Sequence, residues 1–293
     1  MTGRADFDVL GLGGIGSAAL ATLASRGHRV IGFDAHNPPH DKGSSHGETR
    51  VIRQAYFEHP SYVPLLKRAY SLWEALEARS GSVLFERCGV LEVGPPDGVV
   101  IPGVLRSARD HDLAVECLDP AALRERFPGF EAPPGMVGVF EEDAGFLKVE
   151  AAVTAHLAWA RSAGAEIHVH SRVHAYRPHA AGVVLETDEG AFDVGAVLLT
   201  SGAWLPALAP GLAPFLSVLR KVQIWIQLPP GHPQRQGAPC YLFEMPEGVF
   251  YGFPGDASGA MKVAEHTGGE LVDPDTLDDL LRPEELDSVA AFL

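Results

Sequence analysis

The sequence contains little cysteine, little positive charge and no long apolar run. Its three cysteines, Cys88, Cys117 and Cys240, are far apart and show no C-x-x-C spacing, which is typical of a reducing compartment and predicts no cysteine metal site. Lysine and arginine total 23 against 38 acidic residues, a formal net charge of −15. This excess predicts no general affinity for nucleic acid or anionic membranes. No stretch reaches the ~20 apolar residues that span a bilayer, so we expect a cytoplasmic protein.

Length and composition indicate a globular chain. At 293 residues and 46% apolar content, the chain favours two lobes or one large α/β domain. Disordered, collagen-like and disulfide-scaffold proteins are excluded by the same composition. No fixed-period repeat is present, which excludes solenoids and propellers.

The first 34 residues predict a βαβ unit. We expect a strand at 7–10, a glycine turn at 11–16, a helix at 17–26 and a second strand at 28–34. The turn matches G-x-G-x-x-G, in which Gly11 permits the tight turn, Gly13 lets a pyrophosphate approach the backbone, and Gly16 lets helix and strand pack closely. Asp34, at the end of the second strand, would bind a ribose hydroxyl and repel a 2′-phosphate, which argues against NADP. The alternative is a purely structural glycine turn.

One feature of this unit predicts local weakness. The first strand offers four residues, where a buried parallel strand usually has about five or six, and Asp8 lies within it.

The remaining periodicities alternate helix and strand up to about residue 217 and then favour strands. The apolar run 194–199 predicts a strand buried on both faces. Residues 218–253 are strand-rich, so we predict a domain boundary that divides the chain into 1–217 and 218–293. The other predicted helices are at 62–76, 104–111, 120–127 and 150–163, and the other early strands are at 85–93, 166–173 and 182–187.

Two further motifs suggest other functions. Residues 43–47 match the G-x-S-x-G nucleophile elbow with Ser45 as nucleophile, but no strand precedes them, which argues against a hydrolase. His168, His170 and His174 share one face of a predicted strand by parity. This pattern indicates a solvent-exposed strand face and not a metal site, because no carboxylate or cysteine lies nearby at the spacing of a metal ligand.

Arg50 and Arg53 stand out in an acidic chain. Two guanidinium groups after a glycine- and histidine-bearing loop would suit bidentate carboxylate binding. A surface pair bridging to acidic neighbours explains them equally well from composition alone.

Several blocks resemble one family. Residues 34–40, 43–50 (GSSHGETR) and 53–56 (RQAY), together with Ser201-Gly202-Ala203-Trp204, Tyr251-Gly252-Phe253-Pro254 and Lys262 with His266, resemble monomeric sarcosine oxidase and N-methyltryptophan oxidase, which are flavin amine oxidases. The resemblance runs through the whole chain. It implies FAD in place of NAD, and an α/β fold like that of p-hydroxybenzoate hydroxylase: an FAD-binding, Rossmann-like βαβ domain plus a smaller, mainly antiparallel β substrate domain.

The resemblance also implies site roles. Arg53 would bind the substrate carboxylate, Arg50 and His46 would lie against the flavin, and Tyr251 and His266 would line the substrate cavity. Lys262 would promote the reaction of reduced flavin with oxygen, because a buried cation stabilises the negative charge that develops; a surface lysine is the alternative. The expected FAD contacts are Gly11, Gly13, Gly14, Ile15, Gly16, Asp34, Ser44, Arg50, Val173, Gly202 and Trp204.

The implied reaction is oxidation of a secondary amino acid, such as sarcosine or another N-methyl amino acid. The C–N bond loses two electrons to the flavin, water hydrolyses the imine, and O2 becomes H2O2. The family has two more residues in the first strand and continues beyond residue 293, where its FAD-linking cysteine lies, so we expect non-covalent FAD here. We expect a monomer, or an oligomer if the shortened chain exposes apolar surface.

Two other hypotheses stand beside this one. The first is a truncated, inactive homologue that still binds a nucleotide or a partner. The second is an NAD-dependent dehydrogenase built on the same βαβ unit.

Overall fold

The structure is a computed structural model that describes residues 4–235, 237–278 and 280–293. The helices are α1 (Gly14–Ser25), α2 (Val63–Ser80), α3 (Val100–His111), α4 (Pro120–Arg126), α5 (Val149–Ser162), α6 (Leu205–Leu208) and α7 (Glu284–Phe292). The strands are β1 (Ala5–Leu10), β2 (Val30–Phe33), β3 (Thr49–Ile52), β4 (Phe85–Glu86), β5 (Val90–Gly94), β6 (Glu116–Leu118), β7 (Val137–Glu141), β8 (Gly145–Lys148), β9 (Glu166–His168), β10 (Val173–His179), β11 (Gly182–Thr187), β12 (Gly190–Leu199), β13 (Leu219–Arg220), β14 (Ile224–Gln227), β15 (Cys240–Met245), β16 (Gly248–Gly252), β17 (Ala260–Glu265) and β18 (Glu270–Leu271).

The first sheet has the strand order β10-β11-β12-β1-β2-β9. Strand β1 pairs in parallel with β12 and β2, and β2 pairs in parallel with β9. Helices α1 and α5 cover one face through a core that includes Leu20, Val153 and Leu157. Because these strands are parallel, the chain segments that follow β1, β2 and β12 meet at one edge of the sheet.

The second sheet has the order β14-β17-β16-β15-β5-β7-β6 and is antiparallel except for the parallel pair β15–β5. Helix α7 packs against it, with the Phe292 ring stacked on Phe250 at 4.6 Å between centroids. This sheet takes strands from both sides of residue 217, and the division of the chain at that residue stays a prediction.

A small antiparallel sheet of β3, β8 and β4 carries Arg50 on β3. Its position matters because β3 follows directly on the loop of residues 43–48, which lies near both the first sheet and β17. In the described part of the chain, no helix is long and apolar enough to span a membrane.

Several sequence expectations about strands are wrong. Strand β1 has six residues, not four. The strand expected at 85–93 is interrupted where Gly89 adopts a φ of +78°, which leaves β4 and β5. The strand expected at 166–173 ends at His168, and His170 adopts a φ of +56°. His168, His170 and His174 therefore do not share one strand face.

Strand β12 was expected to be buried on both faces, and this is also wrong. Val194 is fully buried, but Leu198 is 42% exposed. The α1–α5 layer packs over β1 and β2, so among the described residues the outward face of β12 remains partly open to solvent.

Candidate cofactor and active site

The glycine turn is built as the sequence predicts. Gly11 has a φ of +92°, and a Cβ on Gly16 would lie 1.8 Å from the Gly11 carbonyl oxygen. Helix α1 therefore starts in direct contact with the end of β1, and Gly13 at its N-cap supplies no side-chain hydrogen bond. Since the first N–H groups of a helix have no intrahelical partner, this end can bind an anion. Ile15 is 77% exposed on the first turn of α1.

Asp34 lies beside this turn. Its Oδ2 accepts a hydrogen bond from the Leu12 N–H at 2.8 Å, and its Oδ1 accepts from the His36 N–H at 2.9 Å. His40 Nε2 lies 3.3 Å from Oδ1. The carboxylate is buried at the edge where β1 and β2 end, and Oδ2, which has one hydrogen-bond donor, retains a lone pair for a ribose hydroxyl.

The loop of residues 43–48 connects this turn with the second sheet. Ser45 Oγ accepts a hydrogen bond from the Gly14 N–H at 2.9 Å, so this loop caps the start of α1. The Ser44 carbonyl accepts a hydrogen bond from Arg50 Nη2, and the Thr49 carbonyl accepts from Arg50 Nη1 at 2.7 Å. Arg50 is thereby fixed by backbone acceptors, and burial lowers its pKa.

Lys262 is a buried cation that contacts the same loop. From β17 its Nζ donates to the carbonyls of Gly47 at 2.6 Å and Thr49 at 2.9 Å, and it lies 4.3 Å from the Phe253 ring centroid. The side chain is 4% exposed, so the alternative of a surface lysine is wrong. Burial first, and then Arg50, lower the pKa of Lys262 to about 7.

Tyr251 lies near Arg50, and His266 lies beside Tyr251. Tyr251 is on β16, and its ring centroid is 6.3 Å from that of His266. Burial raises the pKa of Tyr251, and Arg50 and a hydrogen bond with Gln223 oppose this rise in part. Burial also lowers the pKa of His266, which favours its neutral form. The four predicted residues Arg50, Tyr251, Lys262 and His266 therefore meet at one place.

Arg53 lies in a buried cluster of acidic and aromatic side chains. Its Nη2 is 3.3 Å from Glu58 Oε2, and its Nε is 3.2 Å from Glu92 Oε1. Its guanidinium carbon lies 4.3 Å from the Tyr56 ring centroid. Glu92 is 1% exposed, and burial raises its pKa to about 8. The idea of a surface arginine pair is wrong for Arg53.

The remaining predicted residues lie nearer the nucleotide end or in the loop. Val173 begins β10 and is buried in the core beneath the first sheet. Gly202 and Trp204 form a short 3-10 turn after β12; the Trp204 ring lies 6.4 Å from the His36 ring. His46 lies in the 43–48 loop near Asp41, whose pKa is lowered mainly by Lys42 and to a smaller extent by His46.

Residues 6–290 match the family model described as FAD dependent oxidoreductase. The chain is 40% identical over 268 residues to N-methyl-L-tryptophan oxidase of Salmonella arizonae, covering 91% of this chain and 71% of that protein. It is 39% identical to monomeric sarcosine oxidase of Streptomyces avermitilis, covering 97% of this chain and 76% of that protein.

The chain belongs to the FAD-dependent oxidoreductase family. Its cofactor is FAD, and the predicted family, cofactor and flavin oxidoreductase class are confirmed. The fold class is confirmed as well: the chain superposes on NikD, an amino acid oxidase of nikkomycin biosynthesis, with a TM-score of 0.82 at 24% identity, covering 100% of this chain and 77% of that one. Glycine oxidase from Geobacillus kaustophilus gives a TM-score of 0.74.

The residues present fit FAD. Because Gly16 has no side chain, α1 can start directly against the end of β1; a Cβ on Gly16 would strike the Gly11 carbonyl oxygen. The helix end suits the pyrophosphate and Asp34 suits the ribose. The nucleotide part and the Lys262 part of the site are joined by the 43–48 loop.

Sequence reasoning missed three residues of the site. Ser45 was considered only as the nucleophile of a hydrolase motif, but its hydroxyl oxygen accepts a hydrogen bond from the Gly14 N–H. Gln223 lies against Gly47 and is hydrogen-bonded with Tyr251, and Glu92 pairs with Arg53. Only the glutamate has a pattern that stands out in the sequence, as a charge inside the apolar run of β5. Among the described residues, no group of three or more His, Cys, Asp or Glu side chains could hold a metal ion.

Proposed function

We propose that this enzyme oxidises a secondary amino acid, such as sarcosine or another N-methyl amino acid, with O2 to an imine and H2O2. The observation that carries the proposal is the buried Lys262 ammonium, held by two carbonyls of the 43–49 segment beside Arg50 and Tyr251. The names of the relatives, N-methyl-L-tryptophan oxidase and monomeric sarcosine oxidase, support the amine class.

FAD, when bound, supplies the two-electron redox step between the C–N bond of the substrate and O2. The protein provides the binding groups and the charge. Gly11, Gly13, Gly14, Ile15, Gly16 and Ser44 would surround the pyrophosphate, with Ser45 added from the structure. Asp34, Val173, Gly202 and Trp204 would hold the adenosine part.

Lys262 would act on the oxygen half of the reaction. A cation in a site that excludes water stabilises negative charge as it develops on O2. Arg50 and His46 would lie against the flavin ring. Because the Lys262 ammonium is held by backbone carbonyls, its position does not depend on another mobile side chain.

Arg53 would bind the substrate carboxylate. Both acids that contact it are candidates for displacement, but the Glu58 side chain is 36% exposed and the Glu92 side chain only 2%. An incoming carboxylate would therefore replace Glu58 and leave Glu92 in place. The aromatic side chains Tyr56, Tyr251 and His266 would enclose the amine end of the substrate, and neutral His266 would avoid repelling an ammonium.

The proposal is tested by a visible spectrum and a peroxide assay on the purified chain loaded with FAD. We expect a yellow protein that loses FAD on denaturation, which reports non-covalent binding, and that releases H2O2 with sarcosine or an N-methyl amino acid. The matching primary amino acids serve as controls and should react more slowly. Bound flavin without peroxide release from any N-methyl amino acid would support the inactive homologue instead.

A further inference from the structure

The structure brings together two of the three cysteines. Cys88 and Cys240 are separated by 152 positions, yet their Sγ atoms lie 3.8 Å apart. The approach follows from the parallel pairing of β5 and β15, in which Cys240 faces Val90 and the Cys240 N–H donates to the Gly89 carbonyl at 3.0 Å. Cys117 is exposed on β6.

The two thiols have different surroundings. Cys240 is fully buried, and burial raises its pKa well above the usual range. Cys88 is half-buried, and its hydrogen bond with Cys240 lowers its pKa, against the opposing effects of burial and Glu86. Since the thiolate is the nucleophile, this asymmetry makes Cys88 the attacking sulfur and Cys240 the resolving one.

The pair adjoins the candidate active site. Cys240 packs in one apolar cluster with Phe253, Val90 and Ala144, and Cys88 and Tyr251 pack against it. Lys262 lies over the Phe253 ring, and its charge partly opposes the rise in the pKa of Cys240 that burial causes. The dithiol therefore shares an apolar cluster with residues of the candidate active site.

We propose that Cys88 and Cys240 form a redox-active dithiol, which hydrogen peroxide converts to a disulfide. The Cys88 thiolate attacks one peroxide oxygen, the O–O bond breaks, and the leaving hydroxide takes a proton to become water, so that Cys88 carries a sulfenic acid. The Cys240 sulfur then displaces the hydroxyl group of that acid, which leaves as a second water when it takes the Cys240 proton. Two thiols lose two electrons and one peroxide becomes two waters.

The geometry requires a small movement. A disulfide bond is about 2.0 Å long, so the sulfurs must approach by about 1.8 Å from their separation of 3.8 Å. Rotation about the Cα–Cβ bond of the half-buried Cys88 side chain moves its sulfur by that order.

The test uses the full chain and added H2O2, and does not depend on oxidase activity. The reduced protein is treated with peroxide, denatured, alkylated with N-ethylmaleimide and weighed intact. Untreated chain should carry three adducts, as its three cysteines require. Treated chain should carry one adduct, and its mass should be lower than that of the untreated, alkylated chain by two adducts and two hydrogens. A peptide map should show Cys88 joined to Cys240, and dithiothreitol should restore all adducts.

Three single variants complete the design. Cys117→Ser is the matched control and should still form the disulfide. Cys88→Ser should abolish it, and Cys240→Ser should leave a sulfenic acid at Cys88 that dimedone traps. Retention of all adducts in the treated wild-type chain, or oxidation confined to Cys117, would overturn the proposal. The wild-type result decides the matter even if the variant at the buried Cys240 does not fold.

Discussion

Lys262 illustrates how one residue takes its chemistry from its surroundings. The same side chain on the surface would be a hydrated cation with little effect, whereas here it is buried, paired with backbone carbonyls and close to Arg50. These surroundings lower its pKa to about 7. Its charge is therefore complete below that pH and is lost as the pH rises through it.

Replacing Lys262 by methionine should slow O2 consumption by about 10²-fold, because the methionine keeps the packing on Phe253 and removes the charge that stabilises the developing anion. Anaerobic bleaching of the flavin by substrate should change far less. Stopped-flow measurement of the two half-reactions separates them. Lys67→Met, on the exposed face of α2, is the control and should match wild type; equal loss in both half-reactions would contradict the assigned role.

The same cation predicts a pH profile. The rate of the oxygen half-reaction in wild type should fall as the pH rises above about 7, because the Lys262 ammonium loses its proton. In Lys262→Met the rate should be low and flat over that range. A wild-type rate that rises with pH would be incompatible with a cationic role.

Asp8 is a buried carboxyl group in the middle of β1. Both of its side-chain oxygens are buried without a hydrogen-bond partner among the described residues, and burial raises its pKa to about 8. The folded state therefore holds a proton that the unfolded state releases above pH about 4. Stability from this group is complete at low pH and is lost as the pH rises toward 8, by about 1.4 kcal/mol per pH unit.

Asp8→Asn should flatten this dependence, because the amide has no proton to lose. We expect the free energy of unfolding of the variant, relative to that of wild type, to increase as the pH rises from 5 to 8. Urea unfolding followed by circular dichroism measures it. Asp6→Asn is the control in the same strand. Its carboxylate accepts the Arg29 N–H at 2.8 Å, so its removal should bring no gain at high pH.

At the scale of the elements, local sequence signals predicted most of the helices. They did not predict features that depend on contacts between distant parts of the chain. Helix α2 and the start of α1 follow from periodicity, glycine and proline. The break after His168 and the exposed face of β12 depend on neighbours that are distant in sequence. For the same reason Ser45, Glu92 and the Cys88–Cys240 pair were not predictable, since each gains its role from a partner more than thirty residues away.

The glycine turn between β1 and α1 allows the packing of these two elements to be tested. Gly16→Ala places a methyl group against the Gly11 carbonyl oxygen, and backbone cannot move aside cheaply. We expect a loss of about 1–3 kcal/mol in the free energy of unfolding together with weaker FAD retention. Gly211→Ala, where an added Cβ meets nothing within 4 Å, should behave like wild type in urea unfolding and in flavin content.

The whole molecule combines an acidic exterior with a small cationic site. The net charge is −15, yet two separate segments of the chain, β3 with Arg53 directly after it and β17, bring Arg50, Arg53 and Lys262 into one region. Their positions depend on both sheets and on the 43–48 loop. Binding of FAD to this assembled site should therefore stabilise the folded chain as a unit.

Thermal unfolding monitored by circular dichroism tests that expectation. Added FAD should raise Tm with concentration and contribute about 2.7 kcal/mol when its free concentration is about 100 times Kd. NAD at the same concentrations is the control and should leave Tm unchanged. An equal shift with NAD would revive the dehydrogenase hypothesis.

The 43–48 loop has a consequence for which molecules the enzyme accepts. It is hydrogen-bonded to the start of helix α1 where Ser45 accepts from Gly14, and to the second sheet where Gly47 accepts from Lys262. A short stretch of backbone thus sets the distance between the α1 N-terminus, which suits the pyrophosphate, and the part of the site around Lys262. A flavin that lacks the adenylate would contact only the Lys262 end of the site and leave the α1 end empty. We therefore expect the enzyme to select full-length FAD over shorter flavins.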